Sequence, residues 1–433
     1  MALSNEVNDI VGVGFGPANL ALAIALREQS EISGGSSSYL FFERKNRFGW
    51  HRGMLIDGAT MQISFLKDLA TMRNPQSSFT FISYLHAQGR TAAFINSQTI
   101  YPLRQEFHNY LEWSASQFAE DEVIYDSEVI QVEPVSSGGS VEYLDVKVRA
   151  GTKVEVHRAR NIVIGTGLTP WIPDGVTQSS TVWHSANLVD HASKIEQGRK
   201  FTALVVGSGQ SAAESVEFLH RKFPNANIMS VHSRYGYSVA DDSPFANEIF
   251  DAGAVDEFYS APADVRSKLI DYHRNTNYSV VDIDLSKSIY SRMYEESVLG
   301  KPRIQILKMC SVREVIDRED RVEVCVDHLA TGTSQKILAD IVVYATGYRP
   351  HDPEKILKSL ASECKRDETG QLSLSRNYRL QTSESVRSGI YVHGAYSERS
   401  HGLSSGLLSN IAIRAGEIAE EIKGDTEPRQ TRR

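Results

Sequence analysis

Cysteine is scarce in this chain of 433 residues: Cys310, Cys325 and Cys364 are all it has, an odd number with no C-x-x-C pair. A disulfide framework, a zinc ribbon and a dithiol redox centre lose support together, and a reducing cytoplasm fits best. Excess positive charge is lacking as well. Lys plus Arg total 46 against 54 Asp plus Glu, a net charge of -8, so nothing electrostatic calls for a nucleic-acid or anionic-membrane partner. Long hydrophobic runs are missing too: the most apolar N-terminal stretch, residues 10–26, is broken by Gly12, Gly14, Gly16, Pro17 and Asn19, with Glu6 and Asp9 in front. It reads as strand, turn and helix, not as a signal peptide or membrane span. No H-E-x-x-H motif and no Cys/His pair at suggestive spacing occur. With His51, His184 and His401 read as core or loop residues, no metal is expected.

What is present is a repeated grammar. Hydrophobic residues make up 41% and glycine contributes 30 residues, an ordinary soluble globular composition. At about 150 residues per domain the length allows roughly three units, or two larger ones. Residues 9–13 form a β-type run, a glycine-rich turn follows, residues 20–26 suit a buried helix, and a second strand over 37–42 ends at Glu43. The same order returns with a strand at 201–206, the turn Gly207-Ser208-Gly209-Gln210-Ser211-Ala212 and a helix over 213–222. After each unit two alternating segments flank a turn, containing Gly151 in the first case and Gly332 in the second. Each hairpin leads into an apolar strand ending Gly165-Thr166-Gly167 or Ala345-Thr346-Gly347.

The fold class that follows is α/β, with two Rossmann-like dinucleotide-binding domains and a smaller, mostly helical substrate-binding region. Expected boundaries are 1–198 for the N-terminal part of the first domain and 199–345 for the second, including a substrate-binding insertion at about 241–293. Residues 346–423 then complete the first domain, and 424–433 form a solvated tail. The segment 60–109 fits no plain βαβ unit and, like 241–293, is expected to carry substrate-specific surface.

Both turns have the chemistry for a pyrophosphate. Gly12 and Gly14 allow a tight turn and a close backbone approach, and the following helix points free N–H groups at the anion; Pro17, after Gly16, is tolerated in a first helical turn. Glu43 is placed to accept hydrogen bonds from a ribose, the alternative being a surface glutamate in Glu43-Arg44-Lys45. The second turn reads G-x-G-x-x-A, and its second strand is followed by His232-Ser233-Arg234 with no acid. Ser233 and Arg234 suit a 2'-phosphate, which favours NADPH over NADH.

At this point the chain resembles the class B flavin-dependent N-hydroxylating monooxygenases, and within them the L-ornithine N5-monooxygenases of siderophore biosynthesis. The resemblance spans residues 9–422. Its specific stretches are Phe48-Gly49-Trp50-His51, Met61-Gln62-Ile63-Ser64-Phe65-Leu66-Lys67-Asp68-Leu69, Asp242-Ser243-Pro244-Phe245-Ala246-Asn247-Glu248, Asn275-Thr276-Asn277-Tyr278-Ser279-Val280-Val281, Ala345-Thr346-Gly347-Tyr348 and Ser400-His401-Gly402-Leu403.

The resemblance implies an FAD set of Glu43, Arg44, Trp50, His51, Gln62, Val129 and Gly167, joined by Gly406, Leu407 and Leu408 in a closing segment. It implies NADPH at Gly207 to Ser211, with Tyr278 and with Ser233 or Arg234, since the family's 2'-phosphate arginine aligns with Ser233. Lys67 resembles the residue that pairs with the substrate carboxylate, Asn247 and Asn277 the pair that holds the amino-acid head group, and Ser409 a further substrate contact. Asn277, which also helps place NADP, is the catalytic candidate. Tyr344 departs from the usual Leu or Phe before Ala-Thr-Gly-Tyr.

The implied reaction uses NADPH, O2 and a flavin C4a-hydroperoxide to convert L-ornithine to N5-hydroxy-L-ornithine, in a homotetramer. An exposed lysine paired with Asp68 is the plainer reading of Lys67, and turn or cap residues that of Asn247 and Asn277. Trp50 could stack on flavin or fill core; Trp171 is read as core, and Gln62 as a flavin contact. Lysine N6-hydroxylation stays open, because one methylene is worth only about 1–3 kcal/mol of discrimination. A carbonyl-oxygenating relative is disfavoured because the region of Trp183-His184-Ser185 keeps only the histidine of that group's fingerprint. A disulfide reductase would need a dithiol, and a non-enzymatic flavin-binding protein is the remaining alternative.

Overall fold

The computed structural model describes residues 3–35, 37–318 and 320–426. In the first sheet Val123–Ile124, Tyr39–Phe42, Leu3–Val13, Lys153–Ile164 and Gly389–Val392 lie side by side, all parallel. Lys153–Ile164 is long enough to serve twice. Its first half pairs antiparallel with Ser140–Ala150, which pairs in turn with Ser127–Ser137, while residues 161–164 pair with Gly389–Val392. The first unit is therefore closed by a strand from the far end of the chain.

A parallel sheet needs cover on both faces. The helix Pro17–Ser33 supplies one side, with every residue from 20 to 26 at most 3% exposed. It packs with Ile411–Thr426 and with the aromatic cluster of Phe81, Phe107 and Tyr110 from the 60–109 region. Leu357, Leu360, Leu374 and Leu380 cover the other face. The C-terminal helix runs through Thr426, so the expected tail begins as helix; residues 427–433 lie outside the described residues.

The second sheet repeats the plan: Ile304–Leu307, Asn227–Val231, Thr202–Val206, Ile341–Tyr344 and Val182–His184, again all parallel. Cys310–Asp317, Val322–His328 and Ser334–Ala339 form the accompanying antiparallel sheet. Val182–His184 precedes residue 199, so the expected boundary at 198 does not follow the sheets. A three-residue strand carries too little alternation to be read from sequence.

The two Thr-Gly ends meet. Gly167 (φ +68°) and Gly347 (φ +84°) are both left-handed, a conformation glycine enters without strain. The chain that follows each one pairs with the other, Leu168–Pro170 antiparallel to Tyr348–Pro350. Thr346 Oγ1 donates to Trp171 O at 2.5 Å and Trp171 N to Gly347 O at 3.0 Å. The insertion is helical as expected, with Pro244–Asn247, Ala252–Ser260, Ala263–Tyr272 and Arg274–Asn277, and with Ile283–Val298 running past its expected end.

Side chains add a second joint between the units. Arg104, at the start of the helix Arg104–Ala115, donates to Glu214 through two nitrogens at 2.9 and 2.6 Å, and to Met54 O at 3.0 Å. Glu214 Oε1 also accepts from Gln210 Nε2 at 3.0 Å, and Gln210 Oε1 accepts from Asp282 N at 2.8 Å. Both ends of the ion pair are nearly buried, at 11% and 8% side-chain exposure, so removing one partner strands a charge. Glu214→Ala is expected to cost about 3 kcal/mol in urea unfolding, and Arg104→Leu with Glu214→Leu much less. A single-variant loss under about 0.5 kcal/mol would dismiss the pair as a joint.

Candidate functional site

At the first turn the glycines are dictated by sterics. A Cβ on Gly12 would lie 2.0 Å from the Phe41 ring, and one on Gly14 (φ +83°) 2.9 Å from Gly165 O, whereas nothing stands within 4 Å of one on Gly16. The helix Pro17–Ser33 begins with no side-chain cap at Gly16 and with Pro17 in its first turn. Its N-terminal donors are therefore left for an anion. Asn19, which sequence reasoning missed, pins this turn from inside: fully buried, it donates to Gly14 O at 2.7 Å and Val13 O at 3.2 Å.

Glu43 is not a surface glutamate. It is buried, and accepts from Phe15 N at 2.8 Å and Lys45 N at 3.0 Å, which fixes its carboxylate beside the turn. Arg44 and Gln62 are exposed, and Gly167 lies at the open end of its strand. The Val129 side chain is in the apolar core with Leu144 and Val146, so that side chain does not reach the turn's open side. Trp50 is half-buried against the aromatic core, 6.3 Å from the Phe107 ring, and meets His51 edge-on. Burial pushes the His51 imidazole down to about 4, aided by Arg104 and Lys45.

The second turn is pressed between two neighbours. A Cβ on Gly207 would lie 2.3 Å from Ala345 O, and one on Gly209 3.3 Å from Ser279 Cα. The helix Gln210–Lys222 again starts without a side-chain cap. The Gln210 side chain is committed to Asp282 and Glu214, so it braces the insertion. Gly207, Ser208 and Ser233 line a cavity of about 250 Å3 beyond the ends of the second sheet, and Arg313 is also in its lining. Arg234 is exposed and turned to Ser279 O at 2.9 Å. Arg313 is a cation that sequence reasoning missed; it is paired with Asp327 at 3.2 Å.

The plainer reading of Lys67 fails. Asp68 is 2% exposed, and its oxygens accept from Ala70 N, Thr71 N, Thr71 Oγ1 and Phe81 N at 2.6–2.9 Å. Lys67 is half-buried, and its amine has no ion pair or hydrogen bond among the described residues. Asn247 is half-buried and spends one amide hydrogen on Asp242 O at 2.8 Å, as a turn residue would. Asn277 ends the helix Arg274–Asn277, and the adjacent Tyr278 hydroxyl donates to Glu398. Burial holds the Glu398 carboxyl above its ordinary value, with Tyr278 opposing.

The insertion sits on the C-terminal segment: a Cβ on Gly402 would lie 2.8 Å from the Phe258 ring, and Tyr259 donates to Leu374 O. Gly406 is exposed, Leu407 and Leu408 are half-buried, and Ser409 is 3% exposed. Phe65, Leu408 and Val255 share one core.

Trp171 is a correction. It is half-buried beside the ribbon with the Arg349 guanidinium 4.7 Å above its ring, because the backbone pairing at Gly347 holds it out of the core. Gly402-Leu403-Ser404-Ser405-Gly406 has G-x-S-x-G spacing, but it lies on a 3-10 turn and not between strand and helix, so it is no nucleophile elbow. His184 is fully buried and bonds Gly347 O through Nε2 and Ala186 N through Nδ1.

Two uncapped pyrophosphate turns, joined by a shared ribbon and overlain by a helical insertion, define a two-dinucleotide oxidoreductase architecture. The chain belongs to the L-lysine 6-monooxygenase/L-ornithine 5-monooxygenase family, whose model matches residues 6–350. It is 37% identical to an L-ornithine N(5)-monooxygenase of Pseudomonas aeruginosa, over 98% of this chain and 95% of that one. Among solved structures it resembles the ornithine N-hydroxylase of Kutzneria sp. 744, described with reduced FAD, NADP+ and L-ornithine. That match has a TM-score of 0.92 and 44% identity, over 97% of this chain and 99% of that one. The L-lysine 6-monooxygenase of Pseudomonas syringae matches with a TM-score of 0.84 and 30% identity, over 97% and 100%.

His401 generates a pH prediction. It is fully buried, stacked on Tyr378, and donates from Nε2 to Arg376 O at 3.1 Å, with Nδ1 2.8 Å from Ser400 Oγ. Burial lowers its pKa to about 4. The unfolded chain takes up a proton near pH 6.5 and the folded one only near 4, so the stabilisation is present above about 6.5 and is lost as pH falls towards 4. The thermal midpoint should drop over that window, with a shallower slope in His401→Gln; parallel slopes would remove His401 from the account.

Proposed function

We propose that this chain is an FAD- and NADPH-dependent monooxygenase that hydroxylates the side-chain amine of L-ornithine at N5, for a hydroxamate siderophore or a related product. The observation that carries the reading is Lys67: a half-buried ammonium without a counter-charge, on a loop whose only nearby carboxylate in sequence, Asp68, is already spent. Such a cation suits a substrate carboxylate. The relatives named for ornithine hydroxylation support the choice of amine.

FAD, bound at the first turn, supplies redox and O2 chemistry that no side chain offers. The uncapped helix Pro17–Ser33 and the Gly14 turn receive its pyrophosphate, and Glu43 accepts from its ribose. Gly207 to Ser211 receive the pyrophosphate of NADPH, with Ser233 at the 2'-phosphate end of the cavity. Lys67 orients ornithine by its carboxylate, Asn247 and Asn277 hold the α-amino group with neutral amides, and Ser409 adds a contact. Gly406 to Leu408 close over the flavin and exclude water. We place the protein in the cytoplasm as a homotetramer; among the described residues no helix is long and apolar enough to cross a membrane.

Hydroxylamine formed per NADPH consumed, with FAD supplied, tests the reading with L-ornithine and L-lysine in parallel. Product from ornithine alone is expected; product from lysine alone moves the chain to the other activity of its family, and NADPH oxidation without product from either refutes the substrate assignment. Lys67→Ala should raise the ornithine concentration for half-maximal rate on the order of 100-fold, with NADPH reducing the flavin as in wild type. An unchanged ornithine dependence would discard the role of Lys67.

A further inference from the structure

The loop after the second strand of a dinucleotide-binding unit meets the adenosine ribose, where an acid holds a 2'-hydroxyl and a nearby arginine accommodates a 2'-phosphate. In the second unit that loop is His232-Ser233-Arg234, and it brings no positive charge to the cavity that Ser233 shares with Gly207 and Ser208. His232 lines the cavity, but burial lowers its pKa below the ordinary histidine value, so it is neutral near pH 7. Arg234 stands outside the lining, and its guanidinium donates to Ser279 O at 2.9 Å and Ser238 Oγ at 3.3 Å. A phosphate bound there needs a cation from another part of the fold.

Arg313 is the one lysine or arginine in that lining. Main chain brings it there. Met309 N donates to Arg234 O at 2.9 Å and Cys310 N to His232 O at 3.0 Å, which stitches the start of the strand Cys310–Asp317 to the ribose loop. A little further on the strand bulges: Val312 faces Val326 and Glu314 faces Cys325, so Arg313 has no partner across the ladder. A bulge breaks the alternation of a strand and re-aims a side chain, and bulges are frequent beside active sites.

The guanidinium is oriented without being used up. Nε lies 3.2 Å from Asp327 Oδ2 and Nη2 donates to Cys325 Sγ at 2.7 Å, while Nη1 has no hydrogen-bond partner among the described residues. The Arg313 side chain is 57% exposed, so a ligand in the cavity can reach it. Asp327 is fixed in turn, accepting from Ser334 Oγ at 2.7 Å. The other charged residues of the lining are Asp174 and Glu314, both exposed acids. They repel a phosphate, so the sign of the preference rests on a single arginine.

We infer that Arg313 is the residue that selects NADPH over NADH in this protein, donating from Nη1 to the 2'-phosphate in the cavity it shares with Ser233. The inference rests on the reading of the second turn as the NADPH site and names the side chain that sets its specificity. Asp327 acts through Arg313 as a positioning residue.

The test is calorimetric titration of the FAD-loaded protein with NADP+ and with NAD+, a binding readout that needs no turnover. Arg313→Gln should raise the Kd for NADP+ about tenfold or more, because only acids remain in the lining, and leave that for NAD+ within about twofold. Arg313→Lys, which keeps the charge, should hold NADP+ within about threefold of wild type. Equal weakening of both nucleotides, or no change in either, overturns the inference and leaves Arg313 as a cross-strand partner of Asp327.

Removing Arg313 alone leaves Asp327 without its counter-charge, so a second variant covers the case in which the first fails to fold. Arg313→Gln with Asp327→Asn keeps a neutral hydrogen-bonding pair and should lose NADP+ affinity alone; a double variant that prefers NADP+ as wild type does overturns the inference. Wild-type protein that binds neither nucleotide, or both equally, sinks the reading of the second turn as an NADPH site and the inference with it.

Discussion

Two anion-binding turns are useful to each other only if they are held at a fixed separation, and here that constraint is met by main chain. Both parallel sheets end in a Thr-Gly step, both glycines turn left-handed, and the segments after them pair as the antiparallel ribbon of Leu168–Pro170 and Tyr348–Pro350. Backbone hydrogen bonds make a stiff joint that little in the side chains can alter. The Arg104–Glu214 pair then ties the loop at Met54 to the helix Gln210–Lys222, and through Gln210 to the insertion.

Around this joint the protein leaves polar groups under-satisfied, which is how a ligand-free fold records where its ligands go. Among the described residues the two helix starts lack side-chain caps and Lys67 lacks a counter-ion. Asp68, by contrast, is fully engaged by its own loop.

The elements most legible in the sequence were those set by local sterics. Gly12, Gly14 and Gly207 sit where a Cβ would strike Phe41, Gly165 or Ala345, so their spacing reads directly as a turn. The repeated hairpin and Thr-Gly ends announced the second unit for the same reason. What escaped were contacts between distant residues. Asn19 carries no signal beyond an ordinary asparagine, Arg104 and Glu214 are 110 residues apart, and Val182–His184 is too short to alternate. The role of Trp171 was misread because an aromatic residue near an apolar strand suggests core, while a main-chain bond decides its place.

The proposed substrate residues were legible only through family resemblance, because one lysine and two asparagines have no spacing of their own. The structure adds the reason Lys67 is available, which lies in the four hydrogen bonds that occupy its neighbour Asp68.

The central claim is that the two nucleotide sites face each other within reach of a hydride. Anaerobic mixing of the FAD-loaded protein with NADPH tests it most directly, followed by the loss of flavin absorbance. The account predicts bleaching that saturates with NADPH and needs no amine, since the joint is built into the fold; a flavin that binds yet stays oxidised at saturating NADPH would contradict it.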